Sequence, residues 1–351
     1  MNTHEIYIKR CLELAKNGLP TAMPNPSVGA VIVFENKIIG EGYTSKYGSN
    51  HAEVNAINAV KDKLLLCKST IYVSLEPCSH FGKTPPCADL IIKNKIPNVV
   101  IGTLDSNEKV SGNGIKKLIE AGINVTIGIL EDECKASNKR FFTFHEKKRP
   151  YIILKWAESQ DGFIAPNVTL KQAKSDKKPI WISNEVSRQL VHKWRSEEQA
   201  ILVGTKTVLA DNPKLDVRDW KGKNPVRIIL DRTGKISSNY NVKDEKINTI
   251  IITEQEKFQS SDYLHYEKCI FDNQLITSVC KILYKNNIQS VIIEGGTQTI
   301  QSFIDANIWD EARVFKSEIV FENGTKAPKI NYKNAVKQTI IDDELLKIYN
   351  V

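Results

Sequence analysis

The chain has 351 residues, 41% of them hydrophobic and 26% charged, with a formal net charge of +8. At about 150 residues per domain this length predicts two domains, and the composition excludes wholesale disorder, collagen and coiled coil. The excess of Lys and Arg favours anionic partners. The basic residues are dispersed, with only short runs such as Lys147-Lys148-Arg149, so phosphorylated metabolites fit better than nucleic acid.

The opening stretch MNTHEIYIKRCLELAKNG is amphipathic and charged throughout, without the apolar core of a secretory signal. No run approaches the roughly 20 apolar residues of a membrane helix. The expected location is the cytoplasm. Cys11, Cys67, Cys78, Cys87, Cys134, Cys269 and Cys280 form an odd, unevenly spaced set. That is not a disulfide framework; some suit a metal and the rest are expected as buried thiols.

Val28 to Phe34 and Ile38 to Tyr43 predict a β-hairpin turning at Glu35-Asn36-Lys37. His51 to Val60 has helical spacing, Thr70 to Leu75 reads as a strand, and Cys87 to Lys95 as a helix entered through Pro85-Pro86. Asn98 to Gly102, Gly114 to Ala121 and Asn124 to Ile129 continue as strand, helix, strand. The pattern predicts a mixed sheet with helices on both faces. Phe144 to Pro150 is short, charged and ends in proline, and is read as the linker between domains 1–145 and 146–351.

Beyond it, strands are expected at Tyr151 to Trp156, Ala200 to Val203, Val226 to Leu230, Thr249 to Thr253 and Ser290 to Ile293. A loop runs to about Ile180. Helices are expected at Glu185 to Trp194, Thr205 to Leu209, Leu275 to Tyr284 and Thr297 to Ile304. The second half is therefore also α/β, without internal repeats.

Chemistry concentrates first at His51-Ala52-Glu53, Pro77-Cys78 and Cys87. One imidazole and two thiolates make a three-ligand zinc site with a fourth position open to water, the catalytic arrangement. Zinc brings the ionisation of a bound water near pH 7. Glu53, two residues after the histidine, can take that proton and deliver it to a leaving nitrogen. H-x-E followed by P-C and a second Cys is the signature of zinc nucleobase deaminases, with two residues between the cysteines; here Ser79 to Pro86 intervene. Singly these residues are unremarkable core or surface positions. Their order and their places at element boundaries make the site.

In the second half no G-x-G-x-x-G follows a strand, so a standard dinucleotide fold is unsupported. A strand does end in Glu294-Gly295-Gly296-Thr297 and passes into a helix. Glycines there admit a phosphate to the backbone at a helix N-terminus, although a plain strand-to-helix turn has the same sequence.

These blocks carry a resemblance. Pro24-Asn25-Pro26-Ser27-Val28-Gly29-Ala30, His51-Ala52-Glu53 and Glu76 to Cys87, with its eight-residue gap, resemble the RibD family of bifunctional riboflavin-biosynthesis enzymes. Lys155-Trp156-Ala157-Glu158-Ser159-Gln160-Asp161-Gly162, Trp181-Ile182-Ser183, Thr207 to Pro213, Leu215 and Arg218 resemble its reductase domain. The likeness runs from about Ile6 to past Phe303. It implies a cytidine-deaminase-like first domain and a dihydrofolate-reductase-like second one, with zinc and NADPH as cofactors.

The resemblance implies zinc on His51, Cys78 and Cys87, and Glu53 as the proton shuttle. It implies substrate contacts from Asn25, His80 and Lys83, NADPH contacts from Ala157, Trp181, Thr207, Asp211, Gly296 and Thr297, and reductase-substrate contacts from Lys155, Arg195, Leu215, Arg218 and Glu294. Arg195 and Arg218 suit a phosphate because guanidinium grips it in a fork. Lys155 and Asp211 both stand as candidates for assisting the proton in the reduction. The chain departs from the family at Lys83, where Arg is commoner, at Pro179, often Ser, and at Asp105-Ser106-Asn107-Glu108, often Asp-Pro-Asn-Pro.

The implied reaction sequence is hydrolytic deamination of 2,5-diamino-6-ribosylamino-4(3H)-pyrimidinone 5′-phosphate, then hydride reduction of its ribosyl group to ribityl. The expected partners are phosphorylated pyrimidines, with neither nucleic acid nor membrane, in a homo-oligomer. Three rivals differ in what they require. A deaminase with an idle second half has no use for Lys155, Asp211, Arg218 and Glu294. A nucleic-acid-binding deaminase fold needs a basic, aromatic stripe. A structural zinc protein needs a fourth ligand, for which His80 is the close candidate.

Overall fold

The computed structural model describes residues 2–19, 21–81, 85–106, 112–167, 181–256 and 258–350. It divides into two compact units, Met1–Lys148 and Arg149–Val351. Among the described residues no helix is long and apolar enough to cross a membrane.

In the first unit α1 (Thr3–Ala15) starts at a capping box, with the Asn2 side chain accepting from the His4 backbone N–H and Glu5 closing back on the cap. The hairpin follows as β1 (Gly29–Phe34) and β2 (Lys37–Tyr43). Glu35 and Asn36 both take positive φ, 47° and 61°, the conformation that a two-residue hairpin turn matched to strand twist requires. Then come α2 (Ala52–Ala59), β3 (Thr70–Leu75), α3 (Cys87–Lys93), β4 (Asn98–Thr103), α4 (Asn113–Glu120), β5 (Asn124–Ile127), α5 (Glu131–Ser137) and α6 (Lys139–Lys147).

The strands lie in the order β2-β1-β3-β4-β5, antiparallel through β1 and parallel from β3 to β5. Alternation sends Ala30, Ile32, Ile71, Val73 and Val99 to one face, against Ala56 of α2, Ile91 of α3 and Leu118 of α4. It sends Val31, Val33, Tyr72 and Val100 to the other, against Ile8 and Cys11 of α1. Helices cover both faces, as the sequence pattern predicts.

The expected linker is corrected at its start. Phe144 lies inside α6, and Phe141, Phe142 and Phe144 are all buried. Glu146 and Lys147 end that helix and Lys148 caps it, while Arg149 forks onto Asp310 at 2.6 and 2.8 Å. Cys67 also departs from expectation, being exposed, whereas Cys11, Cys134, Cys269 and Cys280 are buried thiols.

The second unit contains β6 (Tyr151–Glu158), β7 (Phe163–Pro166), α7 (Glu185–Glu197), β8 (Ala200–Gly204), α8 (Thr205–Asp211), β9 (Val226–Leu230), β10 (Thr249–Thr253) and β11 (Leu264–Lys268). It continues with α9 (Leu275–Lys285), β12 (Ser290–Ile293), α10 (Thr297–Asp305), β13 (Glu311–Lys316), β14 (Gly324–Lys326), β15 (Val336–Ile340) and β16 (Asp343–Tyr349).

Its main sheet runs β11-β10-β9-β8-β12-β6-β13-β16-β15. It is parallel from β11 to β13, with β16 and β15 antiparallel. The late strand β12 inserts between β8 and β6. Its carboxyl end therefore opens in mid-sheet beside those of β6 and β8, and carboxyl ends of parallel strands are where such sheets bind ligands. α9 and α10 cover one face through Val279, Leu283, Ile300 and Phe303. α7 packs Val191 and Trp194 on the other, against Ile153, Ile292 and Phe315.

Candidate functional site

In the first unit His51 is the N-cap residue of α2, and Glu53 sits in the first turn. That helix lies against β2 at Gly42, where an added Cβ would fall 2.4 Å from Ala56 N and 2.5 Å from Ala52 O. Only glycine admits so close an approach. Cys78 leaves β3 through Pro77, and Cys87 opens α3. The Ala88 N–H donates to Cys78 O at 3.1 Å, tying the two cysteine segments together.

His51 Nδ1 lies 3.5 Å from Cys78 Sγ and 3.4 Å from Cys87 Sγ. The three donor atoms lie within 4.8 Å of one another. Tetrahedral zinc, with Zn–S about 2.3 Å and Zn–N about 2.0–2.1 Å, puts N and S roughly 3.5 Å apart. The donors fit that ion in type and spacing. The Cys87 N–H donates to Cys78 Sγ at 3.3 Å. Hydrogen bonds from Cys87 and His51 pull the Cys78 thiol down to about 4. Glu53 is 4% exposed, and burial, then the charge of Cys78, raises its pKa. Its carboxylate reaches the Cys87 thiol, so a proton-carrying group touches the ligand set.

Asn25 is half-buried, its backbone N–H donating to Ala22 O at 2.9 Å. His80 is exposed. Lys83, Pro179, Asn107 and Glu108 lie outside the described residues. Glu76, quoted only as part of a motif, proves to organise the site. Its buried carboxylate accepts from the backbone N–H groups of Asp105, Gly112, Gly114 and Ile115 at 3.3, 3.0, 3.0 and 3.4 Å. The residue before Pro77-Cys78 is thereby fixed to the start of α4. Those partners lie 29 to 39 residues downstream, and no local signal announces them.

In the second unit the register that sets Ile293 beside Leu154 brings Glu294 next to Lys155. Lys155 Nζ is 3.8 Å from Glu294 Oε2. Arg195, in the last turn of α7, forms a fork with Glu294, Nε to Oε1 at 2.9 Å and Nη2 to Oε2 at 2.7 Å. Burial alone would raise the Glu294 pKa, but the cations of Arg195 and Lys155 hold it down at about 2. Burial, then Arg195, lowers that of Lys155 against the pull of Glu294.

Arg195 was expected to grip phosphate. Its fork is taken by Glu294, and its Nη1 donates to the Asp216 carbonyl at 3.1 Å. Arg218 remains 45% exposed, with Nη1 2.9 Å from Asp216 Oδ1. Leu215 is buried at a positive φ of 51°.

Gly296 caps α10, and its N–H donates to Thr207 Oγ1 at 2.8 Å. An added Cβ on Gly296 would meet only that hydroxyl, at 3.3 Å. First-turn N–H groups of a helix lack intrahelical partners and favour anions, so this open cradle fits a dinucleotide pyrophosphate. Thr297 Oγ1 donates to Lys326 O. Ala157 pairs with Phe315 across β6 and β13. Trp181 is half-exposed beneath the Arg188 guanidinium, 4.7 Å from its ring centroid. Asp211 ends α8 in an exposed position. Sequence reasoning missed His192, one helical turn before Arg195 and bonded to the same Asp216 carbonyl; the i, i+3 spacing was the available signal.

Comparison with known proteins gives both halves a family. Residues 1–103 match the cytidine and deoxycytidylate deaminase zinc-binding region, and residues 150–321 match the RibD C-terminal domain. The riboflavin biosynthesis protein RibD of Aquifex aeolicus is 40% identical over 91% of this chain and 88% of its own. That of Bacillus amyloliquefaciens is 39% identical over 93% and 87%. The crystal structure of a diaminohydroxyphosphoribosylaminopyrimidine deaminase/5-amino-6-(5-phosphoribosylamino)uracil reductase from Thermotoga maritima superposes with a TM-score of 0.88, at 37% identity over 99% of both chains. Acinetobacter baumannii RibD gives 0.87 at 28% identity, again over 99% of both. Both expected folds and both cofactors, zinc and NADPH, stand with these findings. The chain belongs to the RibD family of riboflavin biosynthesis, bifunctional enzymes in which a zinc-binding deaminase domain precedes an NADPH-dependent reductase domain.

Proposed function

We propose that the first unit deaminates 2,5-diamino-6-ribosylamino-4(3H)-pyrimidinone 5′-phosphate and that the second reduces the ribosyl group of the product to ribityl. The observation that carries the two-step reading is the Lys155–Glu294–Arg195 cluster, where Glu294 follows the end of β12, Lys155 lies in β6 beside it and Arg195 reaches in from α7. A chain used only for deamination has no need of these charges, two of them fully paired in a buried fork.

His51, Cys78 and Cys87 would hold zinc, which when bound supplies an activated water. Glu53, buried beside the ligands, moves a proton to the leaving amino group. Asn25, His80 and Lys83 hold the pyrimidine and its ribosyl phosphate.

In the second unit Gly296, Thr297 and Thr207 receive the NADPH phosphates, and Ala157, Trp181 and Asp211 complete the cofactor site. NADPH supplies the hydride. Glu294 and Arg195 fix Lys155, which directs its ammonium at the opened ribosylamine and gives the proton. Lys155 is preferred to Asp211 for this step because it is enclosed by charges while Asp211 is exposed. Leu215 lines the substrate, and Arg218 takes the phosphate because its guanidinium is accessible. We place the enzyme in the cytoplasm as a homo-oligomer, in keeping with the resemblance; light scattering on the purified protein tests the oligomer.

The test is a coupled assay of wild type and Glu53→Ala with the diaminopyrimidine ribosyl phosphate and NADPH. Ammonia release and nicotinamide absorbance loss in wild type, both abolished in the variant, are expected. Ammonia without NADPH consumption would sink the second half of the proposal. Neither signal in a folded, zinc-loaded protein would sink both.

A further inference from the structure

The loop that follows α8 carries Leu215 and Arg218, and a buried ring outside the proposed catalytic set holds it. His192 of α7 is 3% exposed. Its Nδ1 is 3.0 Å from the Asp216 carbonyl oxygen. That oxygen only accepts, so Nδ1 carries a proton. On the opposite side Nε2 is 3.1 Å from Asp219 Oδ2, and the same oxygen lies 3.6 Å from Arg218 Nε. The side chains of Arg218 and Asp219 are 45% and 54% exposed. Arg218 Nη1 also lies 2.9 Å from Asp216 Oδ1, but ion pairs of so exposed a guanidinium do not fix its geometry by themselves. A buried imidazole set between the Asp216 carbonyl and the Asp219 carboxylate ties that carboxylate to α7.

We propose that His192 is a positioning residue of the reductase half: it holds Asp219, and through Asp219 it sets the Arg218 guanidinium where the substrate phosphate arrives. The proposal rests on the assignment of Arg218 to that phosphate.

The groups facing the ring are the guanidiniums of Arg195 and Arg218, the Asp219 carboxylate and the Asp216 carbonyl, with Glu294 behind Arg195. Because Nδ1–H is committed to the carbonyl, donation to Asp219 as well requires the imidazolium. Burial and the two guanidiniums favour the neutral ring. A bound phosphate brings negative charge to Arg218 and offsets them. Phosphate binding and the His192–Asp219 contact therefore strengthen each other, as linked equilibria must.

The experiment measures kcat and KM of the reductase step with the deaminated substrate and NADPH. His192→Asn keeps an amide near Nδ1 and loses Asp219; His192→Gln keeps a donor near Nε2. His192→Asn is expected to raise the KM for the phosphorylated substrate about tenfold, with kcat and the KM for NADPH within about twofold. His192→Gln stays near wild type. Arg218→Ala raises the same KM at least as much, and the double variant is no worse than Arg218→Ala, since a positioning residue has nothing left to position. Asp219→Asn, at an exposed site that does not endanger folding, reproduces His192→Asn. An unchanged KM in His192→Asn and Asp219→Asn, with Arg218→Ala impaired, overturns the inference and leaves the functional reading standing. Multiplying effects in the double variant also overturn it. An unchanged KM in Arg218→Ala sinks the phosphate assignment and the inference with it.

Discussion

Arg195 and Glu294, 99 residues apart, meet in a two-pronged pair of 2.9 and 2.7 Å, and Lys155 stands 3.8 Å from the same carboxylate. Their side chains are 12% and 8% exposed. Removing one partner of a buried pair leaves an uncompensated charge and costs about 3–5 kcal/mol. Glu294→Gln leaves two facing cations. It is expected to lose reductase turnover, keep ammonia release and lower the second unit's urea midpoint. The pair also has a pH signature. Glu294 is held at about 2, below the ordinary value of about 4.3. Its stabilisation is complete above pH about 4.3 and drains away as pH falls toward 2. Acid unfolding followed by tryptophan fluorescence should show this loss in wild type and not in Glu294→Gln.

The His51–Cys78–Cys87 set predicts that metal and deamination stand or fall together. Cys78→Ser is expected to bind zinc at least tenfold more weakly and to lose ammonia release, while reducing the pre-deaminated substrate normally. Zinc content by atomic absorption and the two separate assays check it. Binding should also weaken as pH falls, because the thiols must give up their protons to the metal. Retained ammonia release in metal-free protein would refute the assignment.

Glu53→Gln separates proton transfer from metal binding. The amide keeps the shape of the buried side chain but cannot shuttle a proton. A loss of about 10²–10⁴ in deamination is expected, with zinc content and the reductase step unchanged. A variant that loses zinc in proportion to activity would instead make Glu53 a support for the ligands.

Glu76 gathers four backbone N–H groups in a buried setting. Bonds to an ionised acceptor are among the stronger ones, and each orphaned buried donor costs about 1–3 kcal/mol. Glu76→Ala should destabilise the first unit by about 3 kcal/mol or more and weaken zinc retention, although Glu76 is not a ligand. Thermal melts with and without added zinc distinguish this from a local effect, because bound metal stabilises only a site that still forms.

What the sequence made legible follows a physical line. Apolar runs with one period, such as Thr70–Leu75 and Ser290–Ile293, appear at their predicted bounds. The zinc set was legible because donor chemistry restricts residue type. β13 was not, since its run EARVFK carries charges that ordinarily signal exposure. Arg313 and Glu311 are nevertheless buried, joined at 2.7 Å, with the guanidinium 4.5 Å from the Trp194 ring centroid. Glu311 is a local partner, but Trp194 of α7, which covers the guanidinium, is supplied only by the assembled unit. The same holds for α6, whose Phe144 reads as a linker residue until the chain folds and buries it. In the site, the sequence offers Arg195 and Arg218 as phosphate binders, but the Glu294 carboxylate that occupies the Arg195 fork lies 99 residues away, beyond any local window.

Gly295 offers the last test, because its constraint is steric and needs no assumption about protonation. A Cβ at this position would lie 2.7 Å from Val203 Cα and 2.8 Å from Gly204 N, both backbone atoms. Neither can step aside without moving the end of β8. Gly295→Ala must therefore separate β8 from the turn that places Glu294 on one side and Gly296 on the other. The expected outcome is a loss of reductase kcat/KM of about 100-fold or more, since misplacement of about 1 Å at a site can cost that much, together with a raised KM for NADPH. Ammonia release should remain at the wild-type rate, as the first unit has its own core. Stopped-flow measurement of NADPH binding beside the ammonia assay checks both parts. Normal NADPH affinity in a folded Gly295→Ala would show that the turn serves packing alone and would remove Gly296 and Thr297 from the cofactor site.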